Sequence, residues 1–405
     1  MATDGEIDYR SFTRAQLEEA LARIDRTQFP INYARLTAAL AQRRAAEGPA
    51  SGQPEPAAVP AHHQLKFTGD GKEYFRIWIV NLALTIATLG IYSAWAKVRK
   101  QRYFYSNTLL DGSAFGYHAE PLKILKGRII ALLFVGIYFA AVRTSFKATL
   151  AVIVLIGLVT PWLFVKSRMF TSRVSSWRGI RFNFREDYRG AYATLLGNLA
   201  LVVITFGILA PRLTWARYKF LVSRTSFGDE EFTCDARVGK FHSTYWKAIG
   251  MTFGVVAAIG VLAAILIPAL HLGKAAQVPK WAALSLSYGL IFLNYAIIGP
   301  VVLGFTHARN LNEVLNHTRV GPHRLAGTFR AATLVGIYLR NVLLIIVTAG
   351  IYIPWAHVRV ARYRCESIAL EAQGSLEHLS ASAAKAVPGA ALEELGSFFD
   401  LDFGF

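Results

Sequence analysis

Acidic side chains are scarce in this chain, with 26 Asp+Glu against 44 Lys+Arg and a formal net charge of +18. Charged residues of both signs fill only 17% of the 405 positions, too few to coat a water-soluble globule of that length. Cysteine is nearly absent: Cys234 and Cys365 stand alone, without a disulfide framework or metal spacing, so no metal site is expected. Residues 1–60 lack the apolar stretch of a secretory signal, and the N-terminus is expected to stay in the cytoplasm. Also missing are a Ser-His-Asp elbow, a phosphate loop, a zinc helix and a carboxylate pair at workable spacing. His118, His242, His307 and His357 have no recurrent acidic neighbour. These absences argue against an enzyme and against a cofactor. No soluble basic domain gathers the positive charge, which argues against nucleic acid as a partner.

What the chain does have is apolar and repeated. Hydrophobic residues make up 54% and aromatics 13%, with a mean hydropathy of +0.35. One phrase recurs three times: NLALTIATLGIYSAWAKVRKQRY from Asn81, NLALVVITFGILAPRLTWARYKF from Asn198 and NVLLIIVTAGIYIPWAHVRVARY from Asn341. Each copy is an Asn, an apolar run closed by Gly-Ile, and an aromatic, basic exit, a signal that belongs to a bilayer. Internal repetition implies a protein built by multiplying one membrane-associated unit.

Four regions follow from composition. Residues 1–46 read as a cytoplasmic helical hairpin, with Leu17, Leu21 and Ile24 on one face and Tyr33, Leu36 and Leu40 on a second helix opened by Pro30. Residues 47–64 carry Pro49, Pro54, Pro56 and Pro60 and read as an extended linker in which His62 and His63 are solvated. Residues 65–379 form a membrane domain with three pseudo-repeats, and 380–405 an acidic, aromatic tail.

Seven apolar segments lie near residues 76–96, 127–142, 148–166, 190–211, 248–269, 281–304 and 331–356. A path that crosses at every segment exports strongly basic loops whichever way it starts, against the retention of Lys and Arg in the cytoplasm. If the three repeat copies dip in and return while the other four segments make two transmembrane hairpins, every strongly basic loop stays inside. Gly90, Gly207 with Pro211, and Gly350 with Pro354 are natural breaks for such a turn. Between the apolar segments lie strand-like stretches with turns at Asp111-Gly112, Arg178-Gly179, Gly228-Asp229 and Gly321. The expected fold class is therefore an α-helical integral membrane protein with internal repeats, transmembrane hairpins plus re-entrant or broken helices, and short cytoplasmic β-hairpins.

The stretches GDGKEYFRIWIVN, LTIATLGIYSAWAKVRKQRYFYSNTLLDGSAFGY and WRGIRFNF resemble the YjgN-like family of bacterial inner-membrane proteins, a family of unknown function. That likeness covers roughly residues 64–379 and implies a multi-pass bacterial inner-membrane protein; both termini are expected in the cytoplasm from the distribution of basic residues. It brings no catalytic or ligand residues with it.

Site candidates must come from the residues themselves. Trp95, Arg99, Arg102 and Tyr103 match Trp355, Arg359, Arg362 and Tyr363, with Lys219 in the middle copy, and form candidates for a lipid-headgroup or interface site. Plain anchoring in the aromatic belt competes with that reading. Asn81, Asn198, Asn294, Arg340 and Asn341 are the intramembrane polar candidates, either as interhelical glue or as a shared site. The membrane segments otherwise hold no ionisable interior residue, which disfavours proton-coupled transport. The expected partners are membrane lipids, anionic ones above all, with a cytoplasmic protein partner as an option through residues 8–45 or 391–405. Lipid or small-amphiphile handling, or passive transport, is the leading functional reading. A membrane scaffold recruiting soluble partners through its termini is the alternative.

Overall fold

The computed structural model describes residues 29–46, 61–269 and 280–373, with the single positions 9, 17, 20, 21 and 24. The chain divides into two compact bodies, Met1–Val59 and Pro60–Phe405. In the first, α1 (Pro30–Ala46) begins on its proline, where a missing N–H costs nothing. Leu36 and Leu40, one helical turn apart, are buried with Leu17 and Tyr9. The expected tail, 380–405, lies outside the described residues.

The second body opens with β1 (Ala61–Gln64) and then repeats one cassette: outgoing strand, two helices, incoming strand. The first cassette is β2 (Lys66–Phe67), α2 (Gly71–Ala87), α3 (Ser93–Ser106) and β3 (Thr108–Leu110). Next come β4 (Ser113–Tyr117), α4 (Pro121–Thr144), α5 (Phe146–Val174) and β5 (Ser175–Trp177). The third holds β6 (Ile180–Phe184), α6 (Tyr188–Tyr192), a π-helical stretch (Ala193–Gly197), α7 (Asn198–Ile204), α8 (Ala210–Ser223) and β7 (Thr225–Phe227). The fourth is β8 (Glu230–Cys234), α9 (Val238–Ala269), α10 (Lys280–Asn316) and β9 (Thr318–Val320). The fifth is β10 (His323–Gly327), α11 (Ala331–Val347), α12 (Ile353–Glu366) and β11 (Ile368–Ala372).

One backbone hydrogen bond recurs at the neck of all five. The N–H just after the outgoing strand donates to the carbonyl just before the incoming one: Thr68 to Asn107 (2.9 Å), His118 to Val174 (2.7 Å), Arg185 to Arg224 (2.8 Å), Asp235 to His317 (3.0 Å) and Thr328 to Ser367 (2.9 Å). Sequence reading finds three copies because only the first, third and fifth cassettes carry the Gly-Ile break. The second and fourth use long continuous helices instead.

All eleven strands join one antiparallel sheet in the order β1-β11-β10-β9-β8-β7-β6-β5-β4-β3-β2. The two end strands, β1 and β2, are separated by Leu65 alone, whose N–H donates to the Ile368 carbonyl at 3.1 Å. One extended segment, 61–67, thus pairs with β11 through its first half and with β3 through its second. Stitching both ends with a single segment leaves little free edge to template unwanted pairing. Within the second to fifth cassettes the strands bring two apolar residues into register: Phe115 with Trp177, Phe182 with Phe227, Phe232 with Val320, and Leu325 with Leu370. Leu110 and Leu65 complete the set, and these ten side chains fill the centre of the sheet together. Burial of each large side chain is worth roughly 1.5–3 kcal/mol.

This sheet corrects the expected fold class. An α-helical protein with short cytoplasmic β-hairpins is replaced by one in which the hairpins fuse into a continuous, nearly closed sheet that sets the positions of all the helix pairs. The physical reason is the edge: isolated hairpins of three to five residues are unstable, whereas pairing to neighbours on both sides satisfies every strand. Residues 61–64, expected in the linker, supply part of that closure. Among the described residues, four helices are long and apolar enough to cross a membrane, over Pro121–Thr144, Phe146–Val174, Val238–Ile265 and Ile291–Asn316.

The three repeat copies are helix–turn–helix pairs broken at one place. Leu89-Gly90, Phe206-Gly207 and Ala349-Gly350 all take positive φ, near 50° then 90°, a left-handed pair that glycine tolerates and longer side chains resist. The preceding threonine clamps each break. Oγ1 of Thr88, Thr205 and Thr348 donates to Leu84, Leu201 and Leu344, each at 2.7 Å, and accepts from the N–H of Tyr92 (2.9 Å), Leu209 (3.2 Å) and Tyr352 (3.0 Å). Pro211 and Pro354 sit in the first turn of the second helix, not in the break. At the tips, Leu89 and Phe206 are 96% and 97% exposed, an arrangement suited to hydrocarbon and not to water.

Candidate functional site

A chamber of about 710 Å³ lies where α5, α8, α9 and α10 meet the sheet. Its walls are aromatic: Phe115, Phe182, Phe184, Phe232 and Phe241 line it, with Tyr218 and Tyr245. Thr171, Ser172, Thr214, Thr244 and Thr306 add hydroxyls, and Asn310 a carboxamide. Two guanidinium groups enter from neighbouring cassettes, Arg168 on α5 and Arg217 on α8. Burial, and then the charge of Arg168, pull the Arg217 pKa below its ordinary value, while Tyr218 acts the other way. Burial likewise pushes the Tyr218 hydroxyl pKa up.

Behind this wall stands Arg364 of α12. Its Nη2 lies 3.4 Å from the Tyr338 hydroxyl, which contacts His307 Nδ1 at 3.3 Å, and its Nε is buried with no hydrogen-bond partner among the described residues. Tyr245, at the chamber wall, donates its hydroxyl to the Gly207 carbonyl at 3.3 Å and so ties the break of the third cassette to α9.

The residues singled out from sequence fall elsewhere, and most have structural partners. Tyr103 accepts from the Asp70 N–H (2.8 Å) and donates to the Asp70 carbonyl (2.9 Å); Tyr363 does the same at Arg330 (2.8 and 3.1 Å). Asp70 and Arg330 are the caps of α2 and α11, so each tyrosine closes its own helix pair. Burial pushes the Tyr103 pKa up to about 12. Arg102 and Arg362 are exposed, and each donates to the carbonyl that precedes the helix cap of the next cassette, Ala119 at 3.4 Å and Gly69 at 3.1 Å. The indole of Trp215 does this job for Ala236 (2.6 Å) and the Asn312 amide for Phe329 (2.8 Å). Three kinds of side chain, at four junctions, thus share one role between cassettes.

Trp355 stacks on Phe75 with ring centroids 5.0 Å apart and lies so close to Gly71 that a Cβ there would sit 2.3 Å from its Cδ1. Trp95 packs beside Ala94, Val98 and Phe170. Arg99 and Lys219 are exposed, Lys219 with its ammonium over the Trp215 ring.

The repeat asparagines do not meet at a shared site. Asn341 accepts from Arg359 Nη1 at 3.1 Å, and Arg359 also reaches the Tyr352 hydroxyl. Asn198 accepts from Arg212 Nε at 3.2 Å, a cation one turn earlier on its helix than Arg359 is on α12. Asn81 is buried, and its Oδ1 has no hydrogen-bond partner among the described residues. Asn294 is half-buried on α10 and Arg340 exposed on α11.

What sequence reading missed is the chamber. Arg168 and Arg217 look like ordinary flanking cations, because each lies just past an apolar segment; only the continuation of α5 and α8 to the sheet turns them inward. Among the described residues no group of three metal-ligating side chains occurs.

Long apolar helices with widely exposed apolar faces, gathered on a sheet beside a basic and aromatic chamber, define a multi-helix membrane protein. The chain belongs to the family described as bacterial protein of unknown function (DUF898), whose model it matches over residues 62–398. It is similar to the inner membrane protein YjgN of Salmonella typhimurium strain LT2, 28% identical over 156 residues, which is 36% of this chain and 38% of that protein. The YjgN proteins of Escherichia coli O157:H7 and strain K12 are each 33% identical, over 140 and 138 residues, covering 33% of this chain and 34% and 33% of theirs. The matched region thus spans about a third of the length of these relatives. No solved structure matches the chain.

Proposed function

We propose that the protein handles an anionic amphiphile, holding its head at Arg168 and Arg217 and its apolar part against the phenylalanine wall of the chamber. One observation carries this reading: guanidinium groups from α5 and α8 converge on an aromatic chamber of about 710 Å³ beside helices suited to lipid. That volume falls within the range of about 300–1,000 Å³ typical of small-ligand sites. Charge-assisted hydrogen bonds from arginine suit a phosphate or carboxylate head, and threonine hydroxyls supply further donors. Passive flow along the axis of the sheet is disfavoured, because ten apolar side chains fill its centre.

The test is binding of a fluorescent phosphate-headed amphiphile and of its zwitterionic counterpart to detergent-purified protein. The anionic probe should bind in preference, and Arg168→Gln with Arg217→Gln should weaken it by about tenfold or more, each charged contact being worth roughly 1.5–3 kcal/mol. Equal binding of both probes, or unchanged binding in the double variant, would contradict the reading.

A further inference from the structure

The last fifteen residues, ALEELGSFFDLDFGF from Ala391, carry Glu393, Glu394, Asp400 and Asp402 and no Lys or Arg, in a chain of net charge +18. Interleaved with them are Phe398, Phe399, Phe403 and Phe405. Acids and aromatic rings gathered in one short stretch are the complement of the chamber, where Arg168 and Arg217 stand among Phe115, Phe182, Phe184 and Phe232. Leu325 of β10 lines the chamber and is the register partner of Leu370 on β11, whereas the described chain leaves β11 at the turn end of the sheet, where the Gln373 N–H donates to His323 Nδ1 at 3.2 Å. With the sheet centre filled by apolar side chains, the route from there to the chamber runs around the outside of the sheet. Residues 374–390 are long enough for it, at roughly 3.3–3.6 Å per residue when extended.

We propose that this C-terminal segment occupies the chamber and acts as an intramolecular competitor of the amphiphile. The inference rests on the chamber reading above and deepens it, since the segment carries the same chemistry as the proposed ligand: negative charge beside apolar bulk. Tethering gives it a high effective concentration, so modest intrinsic affinity suffices. An amphiphile must displace the segment, which makes occupancy depend on amphiphile abundance. Attraction between the carboxylates and the guanidinium groups weakens with ionic strength.

The test uses the full chain with a photo-crosslinking phenylalanine analogue in place of Phe403. Adducts should map to chamber residues on α5 and α8, and should fall about tenfold or more, the scale of lost charge-assisted contacts with the tether kept, in a variant carrying Glu393→Gln, Glu394→Gln, Asp400→Asn and Asp402→Asn. That neutralised variant should also bind the phosphate-headed probe more tightly than wild type. Adducts elsewhere, or adducts on the chamber that survive neutralisation and high salt unchanged, would overturn the proposal. Chamber adducts that no amphiphile suppresses would uphold the segment's docking and overturn the amphiphile reading. Amphiphile binding without chamber adducts would do the reverse.

Discussion

The Thr348 hydroxyl bridges a helix break: it donates to the Leu344 carbonyl, which also accepts the Thr348 N–H, and it accepts from the Tyr352 N–H, which has no carbonyl partner across the break among the described residues. In hydrocarbon that N–H finds no water, so a hydroxyl at this position is the local condition for a broken helix. Thr348→Val keeps the shape and removes both bonds; a loss of about 2 kcal/mol is expected, by thermal unfolding in detergent, since an unsatisfied buried group costs roughly 1–3 kcal/mol. No loss would mean that the break is not buried in lipid. A second residue-scale prediction concerns His323, which is buried and accepts from the Gln373 N–H through Nδ1. Burial lowers its pKa below the ordinary value, with Glu230 opposing and His63 adding to the effect. The unfolded chain therefore binds a proton more readily, so stability holds above about pH 6.5, the unperturbed histidine value, and falls as pH drops through it. His323→Gln should flatten that acid limb in a pH series of unfolding midpoints. An unchanged limb would place the titration elsewhere.

At the scale of elements, the hairpin turns and the helix breaks were readable. Asp111-Gly112 and Arg178-Gly179 combine polar or flexible residues with positive φ, and Gly90, Gly207 and Gly350 mark the breaks because few other residues accept that backbone. Pairing between hairpins was less legible, since strands of two to five residues carry little register information and the partners lie up to hundreds of positions apart. Trp177 shows what the sheet adds. It is buried at the centre with Leu110 and Phe227, and its Nε1 has no hydrogen-bond partner among the described residues. Trp177→Ala should cost about 3–5 kcal/mol through the cavity it leaves. Trp177→Phe should cost much less, because the apolar ring is kept and the unpartnered N–H disappears. Chemical-denaturation midpoints of the two variants decide this; equal losses would show that the indole nitrogen is satisfied in solution.

At the scale of the molecule, five cassettes follow one plan although only three share a sequence phrase. The shared features are a neck hydrogen bond between backbone groups and, at four junctions, a side-chain donor whose identity varies from arginine to tryptophan to asparagine. Backbone geometry leaves no signature in residue identity, so the plan is invisible in a single sequence. The chamber is hidden for a related reason: Arg168 and Arg217 come together only when α5 and α8 of neighbouring cassettes stand side by side on the sheet. Everything above depends on segment 61–67 holding both ends of that sheet. The most direct measurement places two cysteine pairs in one molecule lacking Cys234 and Cys365: Gln64→Cys with Ala369→Cys on the β1–β11 side, and Lys66→Cys with Leu109→Cys on the β2–β3 side. Non-reducing peptide mass spectrometry after mild oxidation should find both disulfides in the same molecule, since register partners fall within bonding range. Formation of either disulfide alone, with the other pair left as free thiols, would mean an open sheet and contradict the closed arrangement.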